Sequence, residues 1–253
     1  MFTIMTNDPV AMGRVTAELA ADHLRSLLQN QEHAHIVIAT GASQFEVLSH
    51  LVDAPGIDWS RVTGFHLDEY VGLSDQHPAS FCRYLRERFV DRVPLADFHF
   101  LRGDADAEQT VAQTADLLQR VEIDLTLCGI GENGHLAFND PPADFETESP
   151  YLIVELDQPC RQQQVGEGWF ATLDDVPTHA MSMSIRQILK SKKILCSVPD
   201  QRKAEAVRST LEEEISPMIP ASILRQHSDA TLIIDQAAGE RLSPETRSGI
   251  QQR

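Results

Sequence analysis

Short apolar runs rich in β-branched residues alternate along this chain with longer segments of helical period. That alternation constrains the fold more than any other feature. AHIVIAT (34–40) is continuously apolar, as a strand buried on both faces must be. Ahead of it, Val15, Leu19, Ala20, Leu24, Leu27 and Leu28 keep the i, i+3, i+4 spacing of an amphipathic helix over 8–29. Asn7 or Asp8 is placed to cap that helix, with Pro9 as its first residue. GAS follows the strand, and Gln44 to Leu51 turns helical again. Further strands are predicted at VTGFHL (62–67), FHFL (98–101), DLTLCGI (124–130), YLIVEL (151–156), HAMSMSI (179–185), KILCSV (193–198) and ATLIID (230–235). Helical patterns fall at 79–92, 105–121, 201–214 and, briefly, near 220–226. Such alternation implies βαβ units: an α/β fold, doubly wound, with a mainly parallel sheet and helices on both faces in a Rossmann-like three-layer arrangement. No linker or internal repeat divides the 253 residues, so a single domain is expected over 1–253. Its polar end, about 236–253, is expected to be ordered only by docking or to fray.

Composition removes several function classes. Lys plus Arg number 21 against 38 Asp plus Glu, a formal net charge of −17, and binding phosphate backbones needs clustered positive charge, so no nucleic-acid partner is expected. No run of apolar residues is long enough to span a bilayer, so no membrane partner is expected either. The opening MFTIMTNDPV lacks the basic and apolar regions of a secretion signal. The cysteines at 82, 128, 160 and 196 form no C-x-x-C pair, which fits reduced thiols in a cytoplasm.

In open parallel sheets ligands bind beyond the carboxyl ends of the strands, and four places there carry chemistry. Thr40, Gly41, Ala42 and Ser43 form a small-residue turn into a helix, able to bring backbone N–H groups to an anion; taken alone, an ordinary βα turn capped by Ser43 is the favoured reading. Asp68 and Glu69 end a strand as neighbours, so one can face a crevice as a general base while the other faces the fold; a surface acid beside a helix cap is the plainer reading. The run GIGENGHLAFNDP (129–141) has glycines enough for an unusual backbone path that could present Asn133, His135 and Asp140 together. A carboxylate beside an imidazole fixes its tautomer, although a glycine-rich loop with a structural His is the alternative. Arg161 and Lys203 are the cations placed to clamp a phosphate, unless both are simply solvated.

Taken together, FHLDEYVGLSDQHPASF (65–81), IDLTLCGIGENGHLAFNDP (123–141) and PDQRKA (199–204) resemble the glucosamine-6-phosphate deaminase (isomerase) family, which shares its fold with 6-phosphogluconolactonases. The resemblance runs from about residue 10 to 235. Tyr70 and Leu136-Ala137-Phe138-Asn139 follow the deaminase text, whereas the lactonases resemble D-E-R and G-H-T at these places. The resemblance implies that Asp68 is the base moving a proton between C2 and C1. It implies that His135 catalyses ring opening, assisted by Asn133 and Asp140. It assigns the phosphate site to Thr40–Ser43, Arg161 and Lys203, and a mobile lid to about 151–178. Asp140 stands where the family usually has Glu, and Ala42 where it usually has Gly. The basic residues of allosteric members have no match in FETESPYLIVEL.

The implied activity is conversion of glucosamine 6-phosphate and water to fructose 6-phosphate and ammonia, in amino-sugar catabolism. The expected partner is a small amino-sugar phosphate, with assembly into a homo-oligomer left open. No cofactor is expected, and no metal-ligand spacing such as H-E-x-x-H is present. The alternatives are a 6-phosphogluconolactonase-type hydrolase and a non-catalytic sugar-phosphate-binding protein of the same fold.

Overall fold

A computed structural model describes residues 1–253. Its main sheet is eight-stranded and parallel throughout. The strands are β1 (Phe2–Thr6), β2 (Ala34–Ile38), β3 (Val62–His66), β5 (Asp97–His99), β6 (Leu125–Cys128), β9 (Lys193–Val198), β10 (Ala230–Asp235) and β11 (Gln251–Gln252). They lie in the order β11-β1-β10-β9-β6-β2-β3-β5. The chain therefore winds outward from β2 through β3 to β5, returns to β6 beside β2, and then winds the other way. The reversal lies between β2 and β6, and the loops after those two strands are the two small-residue and glycine-rich segments singled out above.

Burial on both faces explains the continuous apolar runs. Along β2, Ile36 and Ile38 enter one core while Val37 enters the other. In β9, Leu195 faces one way and Ile194, Cys196 and Val198 the other. The first core packs against α1 (Pro9–Asn30), α2 (Phe45–Val52) and α3 (Phe81–Leu85), which continues as a π-turn through Val90. The second packs against α4 (Ala107–Leu118), α6 (Ile185–Leu189) and α7 (Ala204–Glu212). Asp8 caps α1 by accepting from the Ala11 N–H, with Pro9 at the first helical position.

The structure departs from the sequence reading in three places. Phe2–Thr6, left unassigned, forms β1 and pairs with β10. YLIVEL and HAMSMSI do form strands, β7 (Tyr151–Glu155) and β8 (His179–Met183), but outside the parallel sheet. With β4 (Asp68–Tyr70) they build a separate antiparallel sheet in the order β4-β8-β7. The segment between β7 and β8 carries α5 (Gln158–Gly166), a helix the sequence did not signal. Residues 236–253, by contrast, are ordered by docking, one of the two outcomes expected for them. Ala238, Leu242 and Ile250 join the core, α8 (Pro244–Ser248) follows, and β11 pairs with β1 at the sheet edge. No helix is long and apolar enough to cross a membrane.

One contact tests how tightly the first layer is set. A Cβ added at Gly13 in α1 would overlap the Cβ and backbone of Glu46 in α2. On helix propensity alone Gly13→Ala should stabilise by about 1 kcal/mol. Overpacking should reverse the sign, costing roughly 1–3 kcal/mol, read as a lower urea midpoint.

Candidate active site

A cavity of about 270 Å³ opens where the strand order reverses. Thr40, Gly41, Ala42 and Ser43 line it from the loop after β2, and Gly129, Ile130, Gly131 and His135 from the loop after β6. Asp68 comes from β4, Lys203 and Arg202 from the turn before α7. Gln163, Gln164, Glu167 and Trp169 close it from the α5 segment.

Asp68 and Glu69 point to opposite sides of β4 and meet opposite environments. The Glu69 carboxylate accepts from the N–H groups of Tyr70, Phe81 and Cys82 and from the Ser80 hydroxyl, at 2.8–3.2 Å. It thereby holds the start of α3. Asp68 faces the cavity, 7% exposed, and its Oδ1 is buried without a hydrogen-bond partner. Burial, reinforced by the neighbouring Glu69 charge, pushes the Asp68 carboxyl up to about 8. A carboxylate so little stabilised is a strong proton acceptor whenever it is ionised.

His135 is fixed by its neighbours. Its Nδ1 lies 2.7 Å from Asp140 Oδ1, which also accepts from the Asn133 amide at 2.9 Å, and the His135 N–H donates to Asn133 Oδ1 at 3.1 Å. An ionised Asp140 can only accept, so the network assigns the proton to Nδ1 and turns the Nε2 lone pair outward. Burial alone would raise the Asp140 carboxyl, but the hydrogen bond and charge of His135 and the Asn133 amide outweigh it and hold it below the usual range. Gly131 makes this packing possible, because a Cβ there would overlap the imidazole ring. Gly129 does the same for the opposite wall, where a Cβ would press on Ser43 Oγ. The loop's exit is held by Asn139, whose amide donates to the carbonyls of Leu136 and Met183 and to Ser182 Oγ. Strain gathers here too: Ala137 and Asp200 are the non-glycine residues with positive φ, at 52° and 84°, and both line the cavity.

Lys203 reaches the cavity because Asp235, at the end of β10, accepts from the Asp200 N–H at 3.1 Å and fixes the turn. Its Nζ lies 3.4 Å from Glu167 Oε1. Arg161 does not reach the cavity. One turn into α5, its Nη2 donates to the carbonyl oxygens of Leu173 and Val176 at 2.6 and 3.0 Å, so its guanidinium braces the return of its own segment. Of the expected Arg161–Lys203 pair only Lys203 lines the cavity; the other cation there is Arg202, paired with Asp200 at 3.0 Å. The sequence reading also passed over Gln163, Gln164, Glu167 and Trp169. Their signal was the run QQQVGEGW, too polar for core and carrying an aromatic.

The α5 segment is fastened to the body. Tyr70 OH donates to Gln164 Oε1 at 2.6 Å, Gln163 Oε1 accepts from the Glu132 N–H at 2.9 Å, and Trp169 packs against Phe45 and Tyr84. Cys160, on the same helix, brings its Sγ within 4.8 Å of donor atoms of His135 and Asp140. Burial pushes that thiol up and His135 and Asp140 already satisfy each other, so the set suits proton handling better than a cation.

The chain is similar to known proteins over most of its length. Residues 7–233 match the family model described as glucosamine-6-phosphate isomerases/6-phosphogluconolactonase. A glucosamine-6-phosphate deaminase of Exiguobacterium sp. is 37% identical over 205 residues, covering 81% of this chain and 79% of that protein. One of Clostridium acetobutylicum is 33% identical over 249 residues, covering 96% and 100%. Among solved structures, a monomeric glucosamine-6-phosphate deaminase superposes with a TM-score of 0.86 at 31% identity, covering 94% of this chain and 99% of that one.

The Asp68 environment predicts a stability effect of definite sign. A carboxyl whose folded pKa lies above its unfolded one binds more protons in the folded state, so folding weakens as pH rises from about 4 to about 8. Asp68→Asn removes that penalty. It should stabilise the protein by on the order of a few kcal/mol at pH 9 and by little at pH 4, measured by urea unfolding at both.

Proposed function

The chain belongs to the glucosamine-6-phosphate isomerase/6-phosphogluconolactonase family, and from that premise we infer that it isomerises and deaminates glucosamine 6-phosphate. Water is consumed, and fructose 6-phosphate and ammonia are released. The observation that carries this reading is the pairing of two acid–base groups of different character in one cavity: Asp68, buried without a partner at Oδ1, and His135, fixed by Asp140.

Each step falls to one of them. The substrate phosphate sits between Lys203 and the Thr40–Ser43 turn, where the following helix adds partial positive charge. That anchorage places C1 and C2 at Asp68, and positioning of this kind can supply several kcal/mol of the barrier, roughly up to 10. His135 Nε2 accepts the O1 proton and returns one to O5, opening the pyranose to its aldehyde. The aldehyde makes the C2 proton acidic. Asp68 removes it as O1 takes up a proton, giving an enolamine, and then delivers it to C1 as the nitrogen gives up a proton and forms the C2–N double bond. The product is an imine at C2, which water adds to and cleaves, releasing ammonia and the ketose. Asn133 and Asp140 act through His135 by holding its tautomer. The same residues need no metal or organic cofactor for these proton transfers. The α5 segment, within the expected lid of about 151–178, covers the bound sugar. Four free, buried cysteines support a reducing compartment, the cytoplasm.

The direct test is incubation with glucosamine 6-phosphate and assay of ammonia and fructose 6-phosphate. Release of neither, with 6-phosphogluconolactone hydrolysed instead, would overturn the reading. Asp68→Asn should lower kcat by about 10²–10⁴-fold or more while leaving substrate affinity nearly unchanged, and should stop deuterium entering C1 of the product from deuterated water. Wild-type exchange in that variant would assign the base elsewhere. Because the working form of Asp68 is ionised, kcat/KM of the wild type should climb with pH and level off above about 8. A profile flat from pH 6 to 9 would contradict the role given to Asp68.

A further inference from the structure

Both cations that line the cavity are already held by carboxylates: Arg202 by Asp200, and Lys203 by Glu167. The second pair is unusual in its setting. The Lys203 and Glu167 side chains are only 10% and 9% exposed, and they belong to different parts of the molecule, the α7 turn and the α5 segment. Glu167 takes its other hydrogen bonds from within its own segment, Oε1 from the Gln163 amide at 2.8 Å and Oε2 from the Trp169 indole N–H at 3.2 Å. Its link to the body is Lys203.

We propose that Glu167 sets the ligand affinity of the phosphate site: its carboxylate covers Lys203 in the ligand-free protein and must be displaced by the incoming phosphate. The proposal rests on the reading of Lys203 as a phosphate ligand. Three observations carry it. The Nζ–Oε1 distance of 3.4 Å is longer than a well-formed charge-assisted hydrogen bond, so a phosphate oxygen can offer Lys203 a better one. A carboxylate and a phosphate dianion cannot share one desolvated ammonium without like-charge repulsion, so occupancy by one excludes the other. No Arg from the α5 segment supplies charge to hold both, since the Arg161 guanidinium is spent on Leu173 and Val176.

The consequence is weaker binding of every phosphate compound. Any ligand of Lys203 binds with an affinity reduced by the fraction of molecules in which Lys203 is uncovered. A phosphate ester carrying a sugar offsets that loss through contacts of its ring with the Asp68 and His135 end of the cavity. A free phosphate ion has no such contacts and fills the site only at high concentration. Glu167 therefore weakens the binding of both ligands by the same factor, and the ring contacts alone set the ratio of their affinities.

Trp169 reports the displacement directly, because its N–H loses the Glu167 acceptor when the carboxylate leaves. The second tryptophan, Trp59, is buried in the core against Phe89. In a protein carrying W59F and D68N, Trp169 is the sole indole and turnover is blocked. Glucosamine 6-phosphate should change its emission saturably, and inorganic phosphate should do so only at much higher concentration. Adding E167Q, which keeps the shape but removes the charge, should tighten inorganic phosphate by about fivefold or more. In active enzyme carrying E167Q alone, inorganic phosphate should become a competitive inhibitor at correspondingly lower concentration. Unchanged or weaker phosphate binding in E167Q overturns the proposal. K203A separates this from the underlying reading: sugar-phosphate binding undiminished in K203A would show that Lys203 is not the phosphate ligand at all.

Discussion

Four donors converge on the Glu69 carboxylate, and none of them can be lost cheaply, because the group is buried and an unsatisfied buried acid is costly. With Glu69 pinned to the start of α3, the side-chain alternation of β4 leaves Asp68 only the cavity side. The same small sheet then registers the other half of the site. Asp68 pairs with Ser182 in β8, and the Ser182 hydroxyl accepts from the Phe138 N–H and the Asn139 amide at the exit of the His135 loop. Asp68 and the His135 imidazole are therefore positioned from one three-stranded scaffold standing beside the main sheet.

The two acid–base groups differ because their surroundings do. His135 sits in a closed network with Asn133 and Asp140, which fixes orientation and tautomer. Asp68 is buried with little to satisfy it, which raises its basicity at the expense of stability. Two groups that share one cavity thus meet unlike environments without any difference in fold. The α5 segment adds the third component. It is tied down by Tyr70–Gln164 and by Trp169 against Phe45 and Tyr84, and it brings side chains that sequence alone did not connect with the site.

The parallel sheet was legible in the sequence because strands buried on both faces must be apolar throughout, as in AHIVIAT and ATLIID. The small sheet was not separable by the same signal. YLIVEL is as apolar as a buried strand, yet Ile153 is 40% exposed, and nothing in composition distinguishes a half-exposed apolar strand from a buried one. The strand-end rule located the cavity residues Thr40–Ser43, Asp68, His135 and Lys203, since topology brings strand ends together. It could not orient Arg161, whose direction depends on the phase of a short helix and on which carbonyl oxygens lie within reach. Glu167 was hidden for a statistical reason: among 38 acids, one more carboxylate carries no signal until its partner is seen.

The C-terminal residues close the β1 edge of the main sheet. Gln251 and Gln252 pair with β1, and the Arg253 N–H donates to the Met5 carbonyl. Without them, β1 would offer a run of unpaired backbone groups in a strand that also exposes Phe2 at 52%. Such an edge is a template for another chain, and aggregation begins on templates of this kind. The strand that covers it is only two residues long and both are polar, so the new edge has almost no ladder to extend. Residues 251–253 thus shield the backbone of β1, and substitutions there bear on how that edge meets other chains rather than on the chemistry of the cavity.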